Sequence, residues 1–375
     1  MKYCTVCLQP DTRPNTHFNS GGVCPACDYY QHSRSIDWQE RYEILRDLTK
    51  TIKRKSGQYF DCIIGVSGGK DSTRQALWVR DNLGLKPLLV CLSHPPQQVS
   101  QLGVDNISNL INHGFDVVLT TPAPETWRRL MRDSFFKFTN WARSTELALF
   151  SSVPQLAIKY NIPLIFWGEN PALQVGDLKT MGNTGYDGNN LRYSNTLSSG
   201  HAWMLDAGYD ANSILPYIYP DIEAFDSSKI QIVFLGWFLG DWGLLENASY
   251  ACPVGLHIRE EAPELTGDLY GLSNLDEDWH NMNQMIKYLK FGFGKITEYV
   301  NEELRSGAMD RATATDLVER YDGNCSEAYI DSFCEFIQIT KQDFWAHVKE
   351  SMNKELFEID AMGNIRRKFQ VGVGL

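Results

Sequence analysis

Six consecutive residues, Ser67-Gly68-Gly69-Lys70-Asp71-Ser72, have the composition of a phosphate cradle. Adjacent glycines let backbone N–H groups close around an anion. Lys70 supplies a point charge, Ser67 and Ser72 supply hydroxyl donors, and Asp71 can hold Mg²⁺. The pattern is not G-x-x-x-x-G-K-[ST], because Asp71 follows Lys70 and Ile64 stands at the first-glycine position. It is not G-x-G-x-x-G either. A plain glycine turn is the simpler alternative, but it explains neither the lysine nor the carboxylate. A second set of reactive side chains lies at the N-terminus. Cys4-x2-Cys7 and Cys24-x2-Cys27 are separated by sixteen residues, a zinc-ribbon spacing. Four thiolates in two close pairs suit tetrahedral Zn²⁺, and the polar loop between them has little else to fold around. Such a closed site staples structure and has no open position for substrate. An iron–sulfur cluster is the lesser alternative.

The cradle needs a strand before it and a helix after it. Phe60–Val66 is an apolar run of strand length, and Ala76, Leu77, Arg80 and Leu83 recur at helical spacing up to Gly84, a C-cap. The loop therefore sits at a helix N-terminus, where the dipole adds positive potential. Further strands are expected at Pro87–Leu92, Phe115–Leu119, Pro163–Trp167 and Ile230–Leu235. Helices are expected after Asp37-x-x-Glu40, which reads as a capping box, along Val104, Ile107, Leu110 and Ile111, and over Glu125–Phe138 and Ser144–Tyr160. Strand–helix alternation predicts an α/β fold with a doubly wound parallel sheet and ligands at the C-terminal strand ends. The Gly-, Asn- and Tyr-rich stretch Gly176–Tyr219 reads as a functional lid or as a disordered loop. From Trp279 the pattern is helical, with later helices at Ala314–Tyr321, Glu327–Ile337 and Lys341–Met352 and a tail over the last twenty residues. The expected domains are a zinc ribbon over 1–35, a nucleotide domain over 36–278 and a helical region with its tail over 279–375.

The chain has 375 residues, 43% of them hydrophobic and 22% charged, and a net charge of −11. This balance argues against broad nucleic-acid or membrane-surface binding. No apolar run reaches the length of a membrane span, and the start Met1-Lys2-Tyr3-Cys4 lacks a signal-peptide core. A cytoplasmic location is expected, with nine cysteines as thiols or metal ligands. Cys62 and Cys91 fall in expected strands and read as core. Cys252, before Pro253, has no evident base partner, and His201, His257 and His280 fit no metal spacing.

The loop resembles the S-G-G-x-D-S loop of the PP-loop ATP pyrophosphatases, which implies their adenine nucleotide alpha-hydrolase-like fold. Other segments narrow the resemblance. They are Gly168-Glu169-Asn170-Pro171, Phe234–Trp242, Tyr288–Lys295, and the run from Gly307 and Thr315 to Tyr321-Asp322-Gly323. With the ribbon they resemble the N-acetyl sugar amidotransferases of bacterial surface-polysaccharide (LPS O-antigen) and flagellin-sugar pathways. That resemblance implies ATP, Mg²⁺ and Zn²⁺ as cofactors and a nucleotide-linked N-acetyl sugar, a UDP-diacetamido sugar or uronic acid, as substrate. It implies adenylation of an acetamido oxygen, attack by ammonia and an acetamidino product.

The resemblance also implies roles for individual residues. Ser67, Gly68, Gly69, Lys70, Asp71 and Ser72 would hold the pyrophosphate portion of ATP, with Asp71 towards Mg²⁺. Glu169 would act as a base and Asn170 would meet the substrate amide, although an N-cap before Pro171 is an equal reading of this pair. Asp241 would bind metal or orient ammonia. Lys290 and Lys295 would meet the sugar nucleotide's anionic groups, against the alternative of a solvated helix face. There is no Gly-x-Cys-x-Gly elbow and no cysteine at position 2, so the chain is not expected to hydrolyse glutamine itself; the resemblance implies separate partners similar to the glutaminase and cyclase subunits of imidazole glycerol phosphate synthase. The rival reading is a PP-loop tRNA thiolase. It would need a basic RNA surface and further paired cysteines, and none at C-x-x-C spacing follows Cys27.

Overall fold

Five short apolar runs set the architecture. In the computed structural model, which describes residues 1–56, 59–177, 191, 197 and 200–374, the runs form strands β1 (Cys62–Gly65), β2 (Pro87–Leu92), β3 (Asp116–Thr120), β4 (Leu164–Trp167) and β5 (Gln231–Phe234). They make one five-stranded sheet in the order β3-β2-β1-β4-β5, parallel throughout. Ile63, Leu88, Val90, Ile165, Ile232 and Phe234 face one apolar layer. Their chain neighbours Ile64, Leu89, Cys91, Phe166 and Val233 face the other. Both faces are covered, so the sheet is doubly wound, as the sequence predicts.

Helices Trp38–Ser56, Lys70–Leu83 and Gln101–Asn112 cover the second layer, burying Leu45, Ile52, Ala76, Leu77, Val79, Ile107 and Leu110. Helices Pro124–Phe138 and Ala142–Tyr160 cover the first. Asp37 caps the first of these helices by accepting hydrogen bonds from the Gln39 and Glu40 amides. Two positions of the expected apolar stripe are on the surface instead: Val104 is 43% and Ile111 49% exposed, because only Ile107 and Leu110 of that helix face the sheet. Strand order reverses between β1 and β4, which leaves a crevice beyond their carboxyl ends.

The C-terminal region continues the first layer. Helices Trp279–Phe291, Lys295–Ser306, Arg311–Tyr321, Glu327–Ile337 and Lys341–Ser351 add Met282, Ile286, Ile296, Val300, Phe333 and Phe344 to the same core. The last twenty residues are not a loose tail. Antiparallel strands β6 (Phe357–Ile359) and β7 (Ile365–Arg367) form a hairpin, and Phe357, Phe369 and Val371 are buried in the core. Three apolar anchors within a short polar segment are too sparse for a periodicity, so the sequence pattern misses them. The stretch Gly176–Tyr219 falls partly outside the described residues, at 178–190, 192–196 and 198–199. Its described end, from 200, is packed: Trp203, Met204, Ile214 and Tyr217 are buried against the helices of the first layer. Among the described residues no helix is long and apolar enough to cross a membrane.

Candidate active site

Gly68 and Gly69 shape the turn after β1. Gly68 has φ +79°, and a Cβ there would stand 3.0 Å from the Asn106 side chain and 3.3 Å from the Ile107 amide nitrogen. Glycine thus permits both the left-handed backbone and close packing on the helix Gln101–Asn112. Gly69 is the N-cap of the helix Lys70–Leu83 and has no side chain to occupy its first amides. Those amides are free to meet an anion.

Lys70 is only 9% exposed. Its Nζ lies 2.7 Å from Asp71 Oδ2. Burial would lower its pKa, but the charges of Asp71, Glu302 and Glu169 outweigh burial and raise it. Lys70 is therefore held charged among three carboxylates. Asp71 is fixed from behind: Asn247 Nδ2 donates to Asp71 Oδ1 at 2.6 Å, and Arg74 Nη1 donates to Asn247 Oδ1 at 2.8 Å.

The loop opens into a cavity of about 520 Å³. Its walls come from the loop, from Glu169 after β4, from the start of the helix Ala142–Tyr160, and from the segment Leu272–Glu302. A smaller cavity of about 170 Å³ shares Ser67, Gly69, Asp71 and Glu169 and is lined by Val66, Val90, Val153 and Trp167. Phe150 stacks on Trp167 there, with ring centroids 5.2 Å apart. A polar, charged chamber thus meets an apolar slot at the phosphate loop.

Three carboxyl groups in the large cavity are poised near neutrality. Burial pushes Glu169 up to about 7, helped by the charge of Asp71, while Lys70 and Lys295 pull it back. Burial pushes Glu146 up to about 7 against the pull of Arg143. Burial does the same to Glu277, also to about 7, although His94 opposes it. Glu277 is engaged structurally, accepting from the Trp279 and His280 amides at 2.8 and 2.9 Å. His94 Nε2 lies 3.1 Å from Asp276 Oδ2. Burial works against a charged His94, but Asp276 and Glu277 outweigh it and raise its pKa.

Of the sequence-predicted residues, the structure brings Ser67, Gly69, Lys70, Asp71, Glu169 and Lys295 to one cavity. Gly68 shapes the turn of the loop and Ser72 lines the smaller cavity, whereas Asn170, Asp241 and Lys290 lie elsewhere. Asn170 is a helix cap: its carbonyl accepts from the Leu173 amide at 3.1 Å and its Nδ2 donates to the Gly236 carbonyl at 2.9 Å. Both ends of its amide are spent, so the capping reading holds over the substrate contact. The Asp241 side chain is 71% exposed and pairs with Arg74 Nη2 at 2.7 Å. It anchors the arginine that orients Asn247 and Asp71, and it lines a neighbouring cavity instead. Lys290 Nζ donates to the Phe138 carbonyl at 2.9 Å and ties two helices together. Sequence reasoning missed Glu146, Asn247, His94, Asp276, Glu277, Glu298 and Glu302. Glu146, Asn247, Glu298 and Glu302 sit on helices, whose register alone does not say which faces meet. His94, Asp276 and Glu277 are polar residues on loops whose convergence is a property of the fold.

Cys4, Cys7, Cys24 and Cys27 are buried with their sulfurs within 4.8 Å of one another. Cys7 Sγ and Cys24 Sγ are 3.8 Å apart. Tetrahedral Zn–S bonds of about 2.3 Å would put sulfurs about 3.8 Å apart, so the donor set fits Zn²⁺. Backbone amides of Val6, Gln9 and Cys24 point at the sulfurs of Cys4, Cys7 and Cys4 respectively. The ribbon docks on the C-terminal helices. Leu8 donates its amide to Asn301 Oδ1 at 2.7 Å. Arg311 reaches the Cys7 carbonyl at 3.0 Å. Arg305 is buried, and the Cys7 sulfur, then Glu302 and Cys27, more than offset its desolvation.

With this geometry in hand, comparison with known proteins gives three findings. Residues 270–369 match the family described as "LPS biosynthesis protein WbpG-like, C-terminal domain". Among curated proteins none matches the chain by sequence. Similar solved structures include an NH3-dependent NAD synthetase from Campylobacter jejuni, at 13% identity over 52% of this chain and 95% of that one, TM-score 0.27. They also include an NMN synthetase from Francisella tularensis, at 13% identity over 52% and 94%, TM-score 0.27.

Two predictions follow from the site. Metal analysis of the purified chain should find about one zinc per chain, and Cys24→Ser should lose it and lower the unfolding temperature; unchanged metal content in the variant would refute the ribbon. The second concerns Glu146, whose folded pKa is raised from 4.5 to about 7. The fold favours its neutral form, so its stabilising contribution is complete below the unfolded pKa and is lost as pH rises through the folded one. Wild type should therefore lose thermal stability relative to Glu146→Gln between about pH 5 and about pH 8. Parallel pH profiles for the two proteins would contradict this.

Proposed function

The LPS-biosynthesis family to which residues 270–369 are similar, read together with the phosphate loop, is our starting point: we propose that this chain is an ATP-dependent sugar amidotransferase. The observation that carries the reading is that the matched segment and the Ser67–Ser72 loop wall the same cavity. In this reading ATP is split to AMP and pyrophosphate. The acetamido oxygen of a nucleotide-linked N-acetyl sugar attacks the α-phosphorus and pyrophosphate leaves. Ammonia then adds to the imidate carbon, AMP departs with the former amide oxygen, and an acetamidino group remains.

The loop amides and Lys70 bind the departing pyrophosphate, and the apolar slot beside Trp167 suits the adenine. Asp71, at the phosphate loop, would hold Mg²⁺, which when bound supplies charge neutralisation on the phosphates. Asn247 and Arg74 fix Asp71 for that task. Glu169, near neutrality and beside the loop, is placed to take a proton from the entering nitrogen. Adenylation is required because an amide carbonyl is a poor electrophile, and the enzyme's contribution is alignment and charge stabilisation. A sulfur-transfer reaction would need a thiol at the cavity, and all nine cysteines lie elsewhere among the described residues. The nitrogen is read as ammonia delivered by separate glutaminase and cyclase-like subunits.

Incubation with ATP, Mg²⁺, ammonium and a UDP-diacetamido sugar should yield AMP, pyrophosphate and an acetamidino product by mass spectrometry. Asp71→Asn should cut the rate by about a hundredfold or more while leaving the fold intact. Ammonium should support turnover and glutamine alone should not. Formation of ADP and phosphate, or glutamate release by the chain alone, would contradict the reading.

A further inference from the structure

Seven carboxyl groups line the large cavity, against two lysines and two histidines. Five of the seven are engaged. Asp71 holds Lys70 and accepts from Asn247. Asp276 pairs with His94, and Glu277 accepts from the Trp279 and His280 amides. Glu298 pairs with Arg13 and Lys287 and lies 3.8 Å from Lys295 Nζ. Glu302 accepts from the Leu244 amide at 3.1 Å. Glu169, beside the loop, already has the role of base. Glu146 is the seventh, and among the described residues no hydrogen bond or ion pair holds its carboxyl. Arg143, three residues back on the same helix, acts on it by charge alone.

The place of Glu146 suits a reactive group. Leu149 and Phe150, one turn on along the helix Ala142–Tyr160, line both the chamber and the apolar slot, whereas Glu146 lines the chamber alone. It is half-buried, so the cavity reaches it and water can carry a proton away. The chemistry needs such a group. Ammonium brings four hydrogens on its nitrogen, and the amidinium product keeps two of them there. One proton must leave before attack, to expose the lone pair that forms the C–N bond. The other leaves as the C–O bond breaks and its electron pair departs with AMP. Glu169 takes that second proton, and the first calls for another acceptor. Burial raises Glu146 from 4.5 to about 7, nearer to ammonium in basicity than an ordinary carboxylate. His280 is too weak a base, because burial, then Lys295 and Lys287, brings it down to about 4. His94 is tied to Asp276.

We propose that Glu146 is a catalytic residue that receives ammonium in the chamber and takes its first proton, releasing ammonia beside the adenylated amide. This deepens the amidotransferase reading and rests on it. The Glu146 carboxylate holds ammonium by a charge-assisted hydrogen bond. Transfer of the proton along that bond leaves a neutral acid and a neutral nucleophile, and Glu146 then returns the proton to water. Ammonia delivered unprotonated by a partner subunit needs no such acceptor, so the step belongs to turnover with ammonium.

The test follows AMP formation by the full chain with ATP, Mg²⁺ and a UDP-diacetamido sugar. One arm supplies ammonium chloride, and the other supplies hydroxylamine, which is mostly unprotonated at neutral pH. Glu146→Gln should lower kcat/KM for ammonium by about tenfold or more and for hydroxylamine by less than about threefold. Glu146→Asp should recover part of the ammonium rate. The deficit of Glu146→Gln with ammonium should narrow from about pH 7.5 to about pH 9.5, as free ammonia that needs no acceptor accumulates. KM for ATP should change less than about twofold, which reports that the variants are folded. Equal losses with both nucleophiles, no loss with ammonium, or a deficit constant with pH would each overturn the proposal while leaving the amidotransferase reading in place. Where wild type uses ammonium and not hydroxylamine, the pH arm decides. Wild type forming no AMP with either nucleophile would contradict the amidotransferase reading itself, and the proposal with it.

Discussion

The ion pair between Lys70 and Asp71, 2.7 Å apart and largely buried, is what the rest of the site is built around. A lysine so placed is tolerable only because Asp71, Glu302 and Glu169 keep it charged. Each carboxylate comes from a different part of the chain: the loop itself, the helix Lys295–Ser306, and the end of β4. The parallel sheet brings the loop and Glu169 together because β1 and β4 are neighbours with their carboxyl ends on the same side. Behind the pair runs a polar relay from Asp241 through Arg74 and Asn247 to Asp71. It fixes the carboxylate direction, and of its members Asn247 and Asp71 line the cavity. Residues that seem remote from the chemistry therefore belong to it through geometry.

The zinc ribbon is bound into the same arrangement. Its four sulfurs fit one metal, and a four-thiolate zinc site carries excess negative charge. Arg305 is drawn towards that charge, while Arg311 and Asn301 hold the ribbon's backbone. All three lie on the C-terminal helices. The ribbon in turn sends Arg13 to Glu298. The docked ribbon thus fixes a charged side chain beside Glu298 at the cavity's edge.

What could be read from the sequence and what could not divide along a physical line. Strands β1, β2, β4 and β5 were legible because burial on both faces forces unbroken apolar runs such as Cys62-Ile63-Ile64 and Leu88-Leu89-Val90, while the edge strand β3 is partly exposed. The loop and the cysteine pairs were legible because their chemistry is local, set by adjacent residues. Glu302, Glu298 and the His94–Asp276 pair were not, since they gain meaning only from contacts between segments far apart in the chain. Lys290 and Lys295 show the limit well. They stand five residues apart in one aromatic-rich run, yet the turn at Gly292 sends the first to a backbone carbonyl and the second to the cavity. The C-terminal hairpin was missed because its three buried anchors follow no regular period.

In the proposed reaction the acetamido oxygen itself attacks the α-phosphorus. The direct measurement uses a UDP-diacetamido sugar carrying ¹⁸O in its acetamido carbonyls, turned over with ATP, Mg²⁺ and ammonium, with the products weighed by mass spectrometry. The account predicts that AMP gains one ¹⁸O per turnover and that the amidine product loses it. Unlabelled AMP, or label in pyrophosphate or free phosphate, would contradict it.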